Sequence, residues 1–252
     1  MTSHKLKRNS RRTWLAIIIS CLSVTLISCK KVNEFLDTKY NKSDVIPKEL
    51  EDLQKLLNND NILNSGYTAL GSMSSDNYFY VPADWKANSV TERNTYVWNK
   101  DIFEGSTPAD WANAYAMISY CNEVLEKLSK VDRNVSNAKL HDNIKGAAFF
   151  FKALGYYNLV QLYALPYSVN SENLGIPIKN TPDVNEKLKR NTIQEVYTEI
   201  DNLATEATLL LSEFSEKNTR PNRRAAFALQ AKISLAKANT PKPYQQQNRR
   251  YP

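Results

Sequence analysis

The chain has 252 residues and a formal net charge of +7, from 33 Lys and Arg against 26 Asp and Glu. Hydrophobic residues make up 42% and aromatics 10%, so the chain can bury a core and wholesale disorder is excluded. Three Cys and two His cannot build a disulfide framework or an ordinary His/Cys metal cage, so neither metal nor cofactor is expected; only 6 Gly favour helices over a turn-dense sandwich or barrel.

Residues 1–12 carry Lys5, Lys7, Arg8, Arg11 and Arg12 and no acid. An apolar run follows at 14–27, shorter than the ~20 residues that span a bilayer. Basic start, short apolar run and polar exit form the pattern of a secretory signal peptide, here 1–28. The run ends in LISC, residues 26–29, which resembles the bacterial lipobox, where a lipidated cysteine becomes the mature N-terminus. That resemblance makes Cys29 the acylated residue, anchored in outer-membrane lipid. Lys30 behind it resembles the sorting signal of an outer-membrane lipoprotein. Loss of 1–28 removes five basic residues, and Lys242, Arg249 and Arg250 near the end carry three more. The body between is close to neutral and has no basic stripe for phosphates, which removes the support for nucleic-acid binding.

Residues 29–42 are polar and read as a tether. Over 43–58, Leu50, Leu53, Leu56 and Leu57 recur at helical steps. Residues 61–103 differ: Gly66, Gly71 and Pro82 interrupt Tyr67, Tyr78, Phe79, Tyr80, Trp85, Tyr96, Trp98 and Phe103 without a helical period. A long irregular segment of this kind is functional or disordered. Thr107 then reads as a capping hydroxyl, Pro108 as the first helical residue and Asp110 as the acid reaching back to the cap. Trp111, Tyr115, Ile118, Cys121, Leu125 and Leu128 share the next face, with Cys121 a small core residue.

After a polar joint at 131–137, a helix is predicted over 138–163. Ile144, Ala147, Phe151, Leu154, Leu159 and Leu162 line it, and Gly146, Ala147, Ala153 and Gly155 let a neighbouring helix approach closely. Residues 164–190 form a Pro-punctuated loop with a short extended piece at 175–178. Thr192 and Glu195 make a full capping box ahead of a seam of Ile193, Val196, Ile200, Leu203, Ala207 and Leu210. An Ala-rich helix runs over 223–238, and 239–252 looks unfolded. Pairing 111–128 with 138–163, and 192–211 with 223–238, gives an all-α-dominated array of antiparallel helix hairpins with long aromatic-rich loops; it resembles a tetratricopeptide array, although that repeat's Trp-Leu-Gly-Tyr signature does not line up.

Catalytic chemistry finds little support. Once 1–28 is removed, His141 is the one histidine left, at a helix start where solvent exposure is expected. No Gly-x-Ser-x-Gly elbow, P-loop or dinucleotide glycine fingerprint is present, and no catalytic residue is assigned. Asp76, Asp84, Asp101 and Glu104 are the candidates for a glycosidase carboxylate pair, with turn formation the plainer role. Sugar binding suits residues 61–103 better. Trp and Tyr rings stack on the C–H face of a pyranose while Asn and Asp bind its hydroxyl rim. SSDNYFY (74–80) and PADW (82–85) interleave these types, which makes Asp76, Asn77, Tyr78, Tyr80, Trp85 and Trp98 the candidate ligand-binding residues. Half or more of the rings are expected to pack the segment onto the helices, with Tyr78, Tyr80 and Trp85 staying accessible.

NIKGAAFFFKALGYYNLVQLY, residues 143–163, resembles the signature helix of the RagB/SusD family of nutrient-binding outer-membrane lipoproteins. YCNEVL (120–125), LGIPI (174–178), RNTIQEVY (190–197) and RRAAFALQAK (223–232) resemble flanking family segments in the same order. FLD (35–37) behind the lipobox fits as well. The helix runs into ALPY (164–167) where many members have GDVP, a subfamily variant. Members of the family continue well past the last matched helix, so residues 43–238 resemble its N-terminal helical domain, and 239–252 resemble nothing in it. A truncated gene product is the expectation.

The resemblance implies a protein that binds oligosaccharide or another polymer at the cell surface. It then delivers the ligand to a SusC-like TonB-dependent barrel transporter. The alternatives are a helical interaction module that docks on the transporter without its own ligand site and, third, a surface glycosidase.

Overall fold

The computed structural model describes residues 50–64, 68–167 and 172–238. The expected signal peptide at 1–28, Cys29, the expected tether at 29–42, Gly66, Tyr67 and the terminal residues 239–252 lie outside the described residues. Five short helices come first: α1 (Leu50–Leu56), α2 (Asp60–Leu63), α3 (Leu70–Met73), α4 (Pro82–Ala87) and α5 (Val90–Tyr96). Four long ones follow: α6 (Ala109–Leu128), α7 (Ala138–Tyr163), α8 (Ile193–Leu210) and α9 (Arg223–Ala238). The described residues contain no strand, only an isolated antiparallel bridge between Leu174 and Thr192. The architecture is the predicted tetratricopeptide-like array, in which α7 packs on both α6 and α8, and α9 on α8.

α7 is the spine because its apolar residues run round most of its surface. Its first half joins Ile144, Ala147, Ala148 and Phe151 to Leu50, Leu53, Leu57 and Leu63 and to Met117, Cys121, Val124 and Leu128 of α6. Its second half joins Tyr156, Leu159 and Val160 to Ile118 and to Ile193, Val196, Ile200 and Leu203 of α8. Both predicted contact glycines lie at crossings. A Cβ on Gly155 would sit 3.0 Å from Ile118 Cγ1, and one on Gly146 3.0 Å from Leu210 Cβ and 3.1 Å from the Leu211 nitrogen.

α8 begins at the predicted capping box: Thr192 Oγ1 accepts from Glu195 N at 3.2 Å, and Glu195 Oε2 from Thr192 N at 2.8 Å. The loop before it is pinned by buried polar groups of α6 and α7. Asn122 Nδ2 donates to the carbonyls of Lys179 (2.9 Å) and Thr181 (3.2 Å). The Tyr156 hydroxyl donates to Lys179 O at 2.7 Å and accepts from Lys179 N at 2.8 Å. Lys152, 4% exposed, donates to Asn180 Oδ1 at 3.0 Å, and burial lowers its pKa.

The structure corrects three expectations. Residues 61–103 are not irregular throughout, since they hold α2 to α5, helices of four to seven residues whose few contacts leave no period to read. Thr107 does not cap α6: Pro108 is the N-cap and makes no side-chain cap bond, while Asp110 turns away to another element. His141 is packed rather than solvated, its side chain 12% exposed and Nδ1 buried without a hydrogen-bond partner.

Candidate ligand-binding site

Asp110 is where the aromatic segment meets the array. Its Oδ2 accepts from the backbone N–H groups of Ala69 (2.8 Å) and Leu70 (3.0 Å), so a side chain of α6 satisfies the open donors at the start of α3. α3 packs on α5, and α5 has its own capping box, Ser89 with Glu92 at 3.3 and 2.8 Å. That hydrogen bonding holds the Glu92 carboxyl below the usual range.

On this base three tyrosines gather. Tyr78 and Tyr80 meet edge to face at 5.3 Å, Tyr80 and Tyr96 at 5.1 Å, and Tyr78 and Tyr96 lie at 5.8 Å. The Tyr78 hydroxyl donates to Met73 O at 2.7 Å. Partial burial and the neighbouring tyrosines push its pKa up. Tyr96 Oη accepts from Tyr80 N at 3.3 Å. The triad is therefore a half-buried support.

Trp98, two residues past Tyr96, is an exposed ring of the same segment. It is 75% exposed, its φ is +56°, and its Nε1 donates to Ser74 O at 3.0 Å. A bulky non-glycine residue in the left-handed region stores roughly 1 kcal/mol or more of backbone strain. Phe79, 79% exposed, adds a second open ring.

The predicted residues divide accordingly. Tyr78 and Tyr80 belong to the triad and are less accessible than expected, while Trp98 is open and tied to the same segment through Ser74, with no ring contact to the triad among the described residues. Asp76 and Asn77 are exposed, two and three residues past the Ser74 that holds Trp98, and Asn77 Oδ1 accepts from Ser75 Oγ at 2.6 Å. Trp85 is half-buried on α4 with its Nε1 buried and unpartnered, and no ring contact joins it to the triad among the described residues. Sequence reasoning passed over Tyr96 and Phe79 as ligand candidates. The Ser-x-x-Glu signal at Ser89 was the clue that Tyr96 ends a real helix facing the other rings.

The carboxylates take structural roles. Asp101 Oδ1 accepts from Glu104 N at 2.9 Å, and Glu104 Oε1 from Asn94 Nδ2 at 2.8 Å, so both close the turn after α5. Asp84 sits in the first turn of α4, where its charge complements the helix dipole. Near His141, the Asp142 carboxylate is clamped by Arg133 at 2.8 Å through both oxygens, which holds its pKa low. Cys121 is fully buried, and desolvation pushes its thiol up to about 12, far from a nucleophile. No His/Cys/Asp/Glu group suited to a metal occurs among the described residues. No helix among them is long and apolar enough to cross a membrane.

Solved structures share this fold. A candidate sugar-binding protein from Bacteroides vulgatus ATCC 8482 is 25% identical with a TM-score of 0.61, over 76% of this chain and 43% of that one. A SusD superfamily protein from the same organism is 23% identical with a TM-score of 0.65, over 76% and 44%. A laminarin-binding SusD-like protein is 18% identical with a TM-score of 0.58, over 75% and 40%. The chain thus spans less than half the length of these solved relatives. No curated protein sequence matches it. The SusD-like family profile, described as starch-binding and associating with the outer membrane, matches residues 34–235. With that match over most of its length and the shared helical array, the chain belongs to the SusD-like family.

Proposed function

We propose that the chain captures glycan outside the cell as a lipoprotein anchored through Cys29 in the outer membrane. It hands the ligand to a SusC-like TonB-dependent barrel transporter and performs binding rather than catalysis. The observation that carries the ligand reading is Trp98: an exposed indole on a strained backbone, fixed by its bond to Ser74, in a family described as starch-binding. A ring held rigid before the ligand arrives loses little entropy on binding. Asp76 and Asn77, exposed in the same segment, supply hydrogen-bonding groups for sugar hydroxyls.

Affinity electrophoresis against starch and laminarin tests the reading. Retardation of the wild type, with Trp98→Ala weakening binding about 5-fold, is the expected result, since a good aromatic contact contributes about 1 kcal/mol. If neither glycan nor a wider polysaccharide panel retards the protein, the ligand site is lost; co-purification with a barrel transporter would then leave the docking-module reading. The anchor has its own test. Cys29→Ala is expected to abolish labelling by a fatty-acid probe, and unchanged labelling would remove Cys29 as the acylated residue.

A further inference from the structure

A pocket of about 470 Å³ lies at the start of α7 between α1 and the connection from α8 to α9. That volume falls within the roughly 300–1,000 Å³ of small-molecule sites. Leu57, Ala147 and Leu211 give it a buried apolar floor. Its outer wall is the connection itself, stapled at both ends. At one end Ser212 N donates to Asn143 Oδ1 at 2.7 Å, and Asn143 Nδ2 donates back to Ser212 Oγ at 2.9 Å. At the other, Arg220 Nε donates to Asn58 Oδ1 at 2.8 Å, and Asn64 Nδ2 to Thr219 O at 3.0 Å. The residues between the staples stand off α7, and the space they leave is the pocket.

Its rim has an open ring and an excess of positive charge. Phe214 is 65% exposed, with the Arg224 guanidinium 4.1 Å over its ring. Arg224 is itself tied to Glu213 at 3.0 Å, so the exposed ring has a fixed companion. Lys139 lines the pocket, exposed and without an ion pair among the described residues. Arg220 is only partly balanced by Glu216, at 3.6 Å and 90% exposed. The Asn58 oxygen that holds Arg220 also accepts from Gln54 Nε2 at 3.2 Å, which orients a second polar side chain of the wall.

We propose that this pocket is a second glycan subsite, selective for a carboxylate-bearing sugar such as a uronic acid unit. The apolar face of the ring rests on Phe214 and the floor. The carboxylate lies between Lys139 and Arg220, and ring hydroxyls meet Gln54, Ser136 and Glu216. A neutral sugar would leave Lys139 unanswered, whereas a carboxylate forms charge-assisted hydrogen bonds with it. The subsite rests on the reading of the chain as a glycan-binding protein, yet it shares no residue with the aromatic segment.

Calorimetry on the full chain in detergent, with trigalacturonate and laminaritriose as separate probes, tests it. Trigalacturonate is expected to bind, with Lys139→Ala and Phe214→Ala each weakening it about 10-fold and Trp98→Ala leaving it unchanged. Both positions are exposed, and circular dichroism checks that the variants stay folded. Laminaritriose is expected to show the reverse pattern. Absence of trigalacturonate binding, or binding equal in wild type, Lys139→Ala and Phe214→Ala, would overturn the subsite. Binding of trigalacturonate without laminaritriose upholds it and counts against the aromatic segment as a neutral-glucan site.

Discussion

Trp98 combines two properties that stability alone would not select. It is the most exposed tryptophan position described, and its backbone sits at φ +56°. Gly is at ease there, so Trp98→Gly relieves roughly 1 kcal/mol of strain while giving up one exposed hydrogen bond to Ser74 worth about as much. The unfolding midpoint should therefore barely move, while glycan retardation falls as in Trp98→Ala. A large loss of stability in Trp98→Gly would mean that the indole is a packing residue, and the ligand reading would lose its main support. Trp98 was among the candidates because the aromatic pattern marked this segment, but left-handed φ at one Trp leaves no trace in sequence. The expectation that Trp85 would be the accessible indole was reasonable from its neighbours Pro82 and Asp84, but α4 turns it inward.

At the scale of elements, legibility tracked length. α7 was predicted at its observed bounds because 26 residues of apolar and small side chains overdetermine a helix. α3, with four residues, depends on a partner from elsewhere, the Asp110 carboxylate more than thirty positions on, which no local pattern reports. Asp110→Ala should therefore release α3 without dissolving the array. Hydrogen exchange is expected to speed up at Ala69 and Leu70 and protease cleavage to rise within 68–103, while α6 to α9 keep their protection. Uniform loss of protection would show that the aromatic segment and the array unfold as one unit. The two crossings of α7 differ in a comparable way. At Gly155 the nearest atoms belong to side chains, Ile118 Cγ1 and the terminal Cε of the unbranched Met117, and Ala gains about 1 kcal/mol of helix propensity. At Gly146 the obstacle includes the Leu211 backbone nitrogen, which cannot rotate away. Urea unfolding should show Gly146→Ala destabilised by about 1–3 kcal/mol and Gly155→Ala within about 1 kcal/mol of wild type. Equal effects would mean that both crossings yield alike.

At the scale of the described molecule, the core holds Tyr156, Tyr157 and Tyr197 with Tyr115 packed against them, and that sets its behaviour in alkali. Burial pushes the Tyr115 and Tyr156 hydroxyls far above their ordinary value and raises Tyr197 to about 12, with the neighbouring Tyr157 adding to Tyr197. Burial likewise raises the Cys121 thiol to about 12. In the unfolded chain tyrosine ionises near ~10. Between that pH and about 12 the unfolded chain therefore sheds protons that the folded chain keeps. It binds fewer protons than the native state, so stability falls as pH rises. Lys152 acts with the opposite sign: its folded pKa is depressed, so its burial costs less as pH climbs towards the free lysine value. One lysine faces three tyrosines and a thiol, and the sum is a loss of stability. Urea midpoints should stay nearly level from neutral pH to about 8, begin to fall as the unfolded thiol ionises, and decline more steeply near pH ~10 as the tyrosines follow. Tyr197→Phe gives up the 2.6 Å hydrogen bond from Gln161, so its plateau should lie about 1 kcal/mol lower. Its decline above pH ~10 should be shallower, because one of the titrating groups is gone. A variant with the lower plateau but the wild-type slope would show that Tyr197 ionises alike in both states. The alkaline loss would then have to originate in Tyr115, Tyr156 and Cys121, at the contact of α6 with α7.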